Sequence, residues 1–118
     1  MAKKMKVLKV EPNKDPVLVE INNDLKDLQD AVDGYIECIY PFDDDVAIVC
    51  NEDGKINRLT PNRVLRDNGK VYDVLCGTFL IVGLTAHDFK SLSEEQAKEY
   101  TEVFKAKESL VPNGLIFW

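Results

Sequence analysis

Thr78-Phe79-Leu80-Ile81-Val82-Gly83-Leu84 is the most apolar run in the chain, and its reading decides the fold. Gly77 precedes it and the polar Thr85-Ala86-His87-Asp88 follows. A short run bounded in this way, with no alternation of polar residues, reads as a strand covered on both faces. It is therefore expected at the centre of a sheet.

Other strands gather around it in sequence. Val46-Ala47-Ile48-Val49-Cys50 is a second continuous apolar strand. The stretch 35–40 alternates, with Ile36, Cys38 and Tyr40 on one face and Tyr35, Glu37 and Ile39 on the other, and Pro41 stops it. Asp53-Gly54 and Asn68-Gly69 are dipeptides that accept the positive φ of tight hairpins. They predict returns from 46–50 to 55–59 and from 64–66 to 70–75. Met5-Lys6-Val7-Leu8-Lys9-Val10 and Val17-Leu18-Val19-Glu20-Ile21 flank a turn-rich segment at 13–16 and read as a first hairpin.

Two helices complete the pattern. Asn22 and Asn23 are good N-caps, Leu25, Leu28, Ala31 and Val32 recur at spacings of three and four, and Gly34 suits a C-cap. Ser93-Glu94-Glu95-Gln96 fits a capping box, followed by a stripe of Ala97, Tyr100, Val103 and Phe104. The expected fold is α+β: a central, mostly antiparallel β-sheet with two helices, at about 22–33 and about 93–105. A single domain over residues 1–118 is expected, with the apolar tail at 110–118 docking on this core or on a neighbouring subunit.

Composition sets limits on function. A chain of 118 residues, 45% hydrophobic and 31% charged, can bury a core without disulfides or metal. Its apolar runs are too short to span a bilayer, and no signal region follows Lys3, Lys4 and Lys6, so a cytoplasmic protein with no membrane partner is expected. Cys38, Cys50 and Cys76 are odd in number, form no CxxC pair and sit in apolar stretches, which reads as buried free thiols. A net charge of −6 argues against nucleic acid as a partner, because phosphate binding needs a basic surface.

No catalytic signature stands out, and neither GxSxG nor HExxH is present. Asp43-Asp44-Asp45 lacks the alternate ligand spacing of a calcium loop and reads as a solvated turn. His87 is the sole histidine, in a loop with no nucleophile motif pointing to it. No metal, cofactor or enzymatic activity is therefore expected. Asn62-Arg63-Val64-Leu65-Arg66-Asp67 carries more chemistry, since two arginines beside an amide can grip phosphate or a base edge through forked hydrogen bonds. The bland alternative is an Arg–Asp pair fastening a turn. Tyr35, Tyr40, Phe42 and Tyr72 lie on neighbouring strands and offer stacking surfaces.

Gly34-Tyr35-Ile36-Glu37, Tyr40-Pro41-Phe42-Asp43-Asp44, Val49-Cys50-Asn51-Glu52 with Gly54-Lys55, Asn62-Arg63 with Leu65-Arg66-Asp67, and Gly77-Thr78-Phe79 with Ile81-Val82-Gly83 occur in that order. Asp88-Phe89-Lys90-Ser91-Leu92 precedes the last helix. Together these blocks resemble family 3846 of domains of unknown function, over about residues 5 to 105. The resemblance implies a phage, mobile-element or Firmicute setting, and the cytoplasm of a host cell, rather than an activity. It supplies no residue roles.

The leading expectation is a non-catalytic, homo-oligomeric binding module that sequesters a small nucleotide-like immune signal to counter host defence. Arg63 and Arg66 would meet phosphate, Asn51 and Asn62 would read polar edges, and Tyr40 or Phe42 would stack. The alternative is an interaction protein whose acidic loop masks a basic surface on a host protein. A metal-dependent nucleotide hydrolase has the least support.

Overall fold

The computed structural model describes residues 3–105 and two short strands beyond them. In chain order the elements are β1 (Lys4–Val10), β2 (Val17–Asn22), α1 (Leu25–Val32), β3 (Ile36–Ile39), β4 (Val46–Asn51), β5 (Pro61–Asp67), β6 (Lys70–Cys76), β7 (Phe79–Leu84), β8 (Phe89–Lys90), α2 (Glu94–Lys105), β9 (Ser109–Leu110) and β10 (Ile116–Phe117). The main sheet runs β2-β1-β7-β4-β3, with β8 extending β7, and every pairing is antiparallel. The fold is α+β, as the residue pattern predicts. The expected docking of the tail at 110–118 concerns side chains outside the described residues.

The central placement of β7 follows from burial on both faces. Alternation sends Leu80 and Val82 to one side and Phe79 and Ile81 to the other, and all four are fully buried. On the first side they meet Val7, Ala47, Val49 and the Leu28 and Val32 stripe of α1. On the second they meet Leu8, Val46 and Ile48, closed over by Tyr100 and Phe104 of α2 and by Leu65 and Leu75 of β5 and β6. The molecule thus has three layers, and the β5–β6 hairpin shares the third with α2.

Local chemistry sets the helix ends. Ser93 and Gln96 cap α2 reciprocally: Gln96 N donates to Ser93 Oγ and Ser93 N to Gln96 Oε1, each at 3.0 Å. In α1 the cap is Asp24, accepting from Asp27 N at 2.8 Å, rather than Asn22 or Asn23. Asn23 is engaged elsewhere, its side chain donating to Asp88 Oδ1 and the Phe89 carbonyl. At the other end Asp33, at φ 61, takes the left-handed position expected of Gly34. Two stripe residues are not core: Leu25 and Val103 are both more than half exposed.

The Asn68-Gly69 turn joins β5 to β6 as expected, with φ of 51 and 80 at the two residues. The Asp53-Gly54 turn does not make a hairpin, and 55–59 is not a strand. It winds instead through helical turns, Asn57 N donating to Asp53 O and Leu59 N to Gly54 O. Gly54 serves close approach there: a Cβ on it would lie 2.8 Å from the Cys76 carbonyl oxygen.

Candidate functional site

Two bulges shape the β5–β6 hairpin. The register runs Pro61↔Cys76 then Arg63↔Leu75, so Asn62 is an extra residue in β5. It then runs Leu65↔Asp73 and Arg66↔Val71, so Tyr72 is an extra residue in β6. A bulge re-aims side chains, and these two produce opposite results: Asn62 is buried and Tyr72 is exposed.

Asn62 and Arg63 form the inner half of the region. Asn62 Nδ2 donates to the Val10 and Gly77 carbonyls, both at 2.9 Å, and its Oδ1 accepts from Arg63 Nη1 at 2.6 Å. Arg63 is only 1% exposed. Its Nε donates to the Phe104 carbonyl at 3.0 Å and its Nη2 to the Lys14 carbonyl at 2.6 Å. The guanidinium therefore ties β5 to the last turn of α2 and to the β1–β2 turn, where a cation also suits the negative end of a helix.

The outer half is a groove of about 240 Å³ between the hairpin and α2. Phe42, Leu65, Arg66, Tyr72 and Val103 line it, with Arg63 in its wall. Phe42 is fixed by tilted and edge contacts to Tyr100 and Phe104, with ring centroids 4.7 Å and 6.0 Å apart. Arg66 and Tyr72 are exposed at the rim.

The six residues expected to bind ligand are thus divided. Phe42, Arg63 and Arg66 meet at the groove. Asn62 lies buried, holding backbone carbonyls, and Tyr40 is 63% exposed and does not line the groove. Asn51 belongs to another region: its Nδ2 donates to the Val32 and Asp33 carbonyls at 3.0 Å and its Oδ1 accepts from Asp53 N at 2.8 Å. It borders a cavity of about 190 Å³ beside Glu37, Cys50 and the Lys55–Asp73 ion pair. Burial, reinforced by Glu37, pushes the Cys50 thiol up to about 12.

Tyr72 was legible as an aromatic on a neighbouring strand, but the bulge that turns it to the rim has no sequence signal. Val103 sat in the apolar stripe of α2, and nothing in that spacing marked it as a groove residue.

Asp44 is held against α2, accepting from the Tyr100 hydroxyl at 2.8 Å and from Gln96 Nε2 at 3.3 Å. The Tyr100 bond, helped by Asp45 N, lowers its pKa. Asp43 and Asp45 stay exposed. His87 is exposed in the β7–β8 turn, where its N–H donates to Thr85 Oγ1. Among the described residues no three His, Cys, Asp or Glu gather closely enough to hold a metal, and no helix is long and apolar enough to cross a membrane.

Comparison with curated proteins and with solved structures gives no match. The model of the family described as Domain of unknown function (DUF3846) matches residues 5–105. That span holds the main sheet but for Lys4 at the start of β1, both helices and the groove. The chain belongs to the DUF3846 family.

Proposed function

We propose that the protein is a non-catalytic binding module whose groove takes the planar, anionic part of a small nucleotide-like ligand. The observation that carries this reading is the groove itself: a bulge puts exposed Tyr72 in its lining with Arg66 and with Phe42, whose ring is held against Tyr100. An aromatic face suits a base, and a guanidinium suits phosphate. No carboxylate, histidine or thiol lines the groove among the described residues, which favours holding a ligand over transforming it.

Size refines the proposal. Pockets for whole small ligands run from about 300 Å³ upward, so about 240 Å³ suits one base with its sugar or phosphate. A dinucleotide signal would need a second subunit to cover the remainder. In a phage or mobile-element setting, such capture would remove a host immune signal from the cytoplasm.

A second reading keeps one support. The acidic loop at 43–45 is pinned through Asp44 to Tyr100, which leaves Asp43 and Asp45 presented in a fixed geometry for a basic host protein.

The test is calorimetry with a panel of cyclic and linear nucleotides, followed by heat denaturation and analysis of what is released. Binding that Tyr72→Ala and Arg66→Ala each weaken tenfold or more, with ligand recovered intact, is the expected result. Absence of binding to every nucleotide, or recovery of degraded ligand, overturns it.

A further inference from the structure

Among the described residues β9 and β10 pair with each other and with no other strand, Ile116 opposite Leu110 and Phe117 opposite Ser109. A hairpin with strands of two residues is not stable alone in water and needs a further strand or a helix to pack against. Its sequence points the same way. From Ser109 to Trp118 no side chain is charged, and Leu110, Leu115, Ile116, Phe117 and Trp118 are large and apolar.

The end of α2 limits where this hairpin can go. Only residues 106–108 separate Lys105 from Ser109, so those two Cα atoms lie at most about 14 Å apart. Two surfaces border that helix end. One is the β1–β2 turn, tied to it through Arg63, and its Glu11, Asn13, Lys14 and Asp15 are polar. The other is the groove, lined by Val103 and Phe104 from the last turn of α2. There Val103 and Tyr72 are 51% and 56% exposed, so the groove is the one of the two that offers open apolar surface.

We propose that the chain's own C-terminal hairpin, residues 109–118, docks over the groove and seats Trp118 in it. Leu110 and Ile116 are opposite each other and share one face of the hairpin, and the two-residue period carries that face on to Trp118. At about 240 Å³ the groove is below the size of a whole small-ligand pocket and suits one large planar side chain, with the rest of the apolar face covering Val103. Arg66 supplies a cation for the indole, the ring on which such contacts are strongest. The tether is short, so the tail's effective concentration is on the order of millimolar and modest contacts keep it in place. The tail then competes with any ligand of the groove, and apparent affinity falls with the fraction of open molecules. That consequence alone rests on the nucleotide reading; the docking does not.

Trp118 is the sole tryptophan, so its fluorescence reports the tail in the full chain with no ligand present. Wild-type emission should lie at the short wavelength of a buried indole and resist quenching by acrylamide. Val103→Asp and Tyr72→Ser, both at half-exposed positions, should each move it to the wavelength of a water-exposed indole and raise the quenching constant several-fold. Leu25→Asp, 59% exposed on α1 at the opposite side of the main sheet, should change neither. Solvent-like emission from the wild type overturns the proposal, as does a buried signal that both groove variants leave unmoved or that Leu25→Asp shifts equally. A signal that shifts to longer wavelength on dilution assigns the tail to a second copy and overturns docking within the chain. Trp118→Ala should tighten several-fold any nucleotide of the panel that binds, and unchanged affinity overturns the competition. A panel without a binder sinks the nucleotide reading alone, because the emission decides the docking.

Discussion

Arg63 Nε donates to the Phe104 carbonyl at 3.0 Å, joining a bulged strand to the final turn of the helix packed over it. The same side chain reaches the Lys14 carbonyl, so one guanidinium fixes three segments far apart in sequence. Replacing it with Met leaves those carbonyls buried without their donor. Arg63→Met should cost about 2–4 kcal/mol in denaturant unfolding. Arg63→Lys should recover less than half, because an ammonium lacks the planar fork that meets several acceptors at once. A loss under about 0.5 kcal/mol would place the residue's role elsewhere.

This division between Arg63 and Arg66 illustrates what the sequence could and could not convey. The centre of the sheet, the first and Asn68-Gly69 hairpins and the Ser93 capping box rest on signals only a few residues long. Each is set by local backbone chemistry and is legible in a single pass. Arg63 is different: its acceptors lie at 14 and 104, and the bulge at Asn62 that positions it has no local marker. Read locally, two arginines three apart look like one anion site. In the fold the inner one is a clamp and the outer one sits at the rim. Asp53-Gly54 misled for a related reason, since a glycine kept for contact with β6 looks identical to one kept for positive φ.

Gly34 and Asn51 make a second close relationship. A Cβ on Gly34 would lie 2.6 Å from Asn51 Nδ2, which is itself held by the Val32 and Asp33 carbonyls. Gly34→Ala must therefore break those hydrogen bonds or shift the chain, at about 1–3 kcal/mol. Asn51→Ala should cost a similar amount by leaving the same carbonyls without a donor. Combined, the two should destabilise by clearly less than their sum, because the second change removes the atom the first one strikes. Strict additivity in a double-mutant cycle would refute the contact.

The three thiols should differ in reactivity. Burial raises the pKa of Cys38, Cys50 and Cys76, and most of all that of Cys50, which reaches about 12. The thiolate is the reacting form, so native Cys50 should label at pH 8 roughly a thousandfold more slowly than in the unfolded chain, and last of the three. Mass spectrometry of a labelling time course gives the order directly. Early modification of Cys50 would contradict its burial.

The Tyr100–Asp44 hydrogen bond should appear in the acid limb of stability. Asp44 is lowered from 3.8, first by the Tyr100 hydroxyl and then by Asp45 N. A carboxylate whose pKa falls on folding stabilises above its unfolded value, and that contribution is lost as pH drops through 3.8 toward the folded value. Tyr100 is shifted upward, by burial first and Asp44 second, so its hydroxyl keeps the proton it donates throughout this range. Tyr100→Phe removes the bond and retains the ring against Phe42. The stability gap between wild type and this variant should be constant from neutral pH to about 5, then narrow below 3.8 as Asp44 protonates in both. A gap that stays constant down to pH 3 would mean that the hydroxyl acts through packing alone. Asp44→Asn should remove the same pH dependence from the other partner, and Tyr100→Phe should then have no further effect on it.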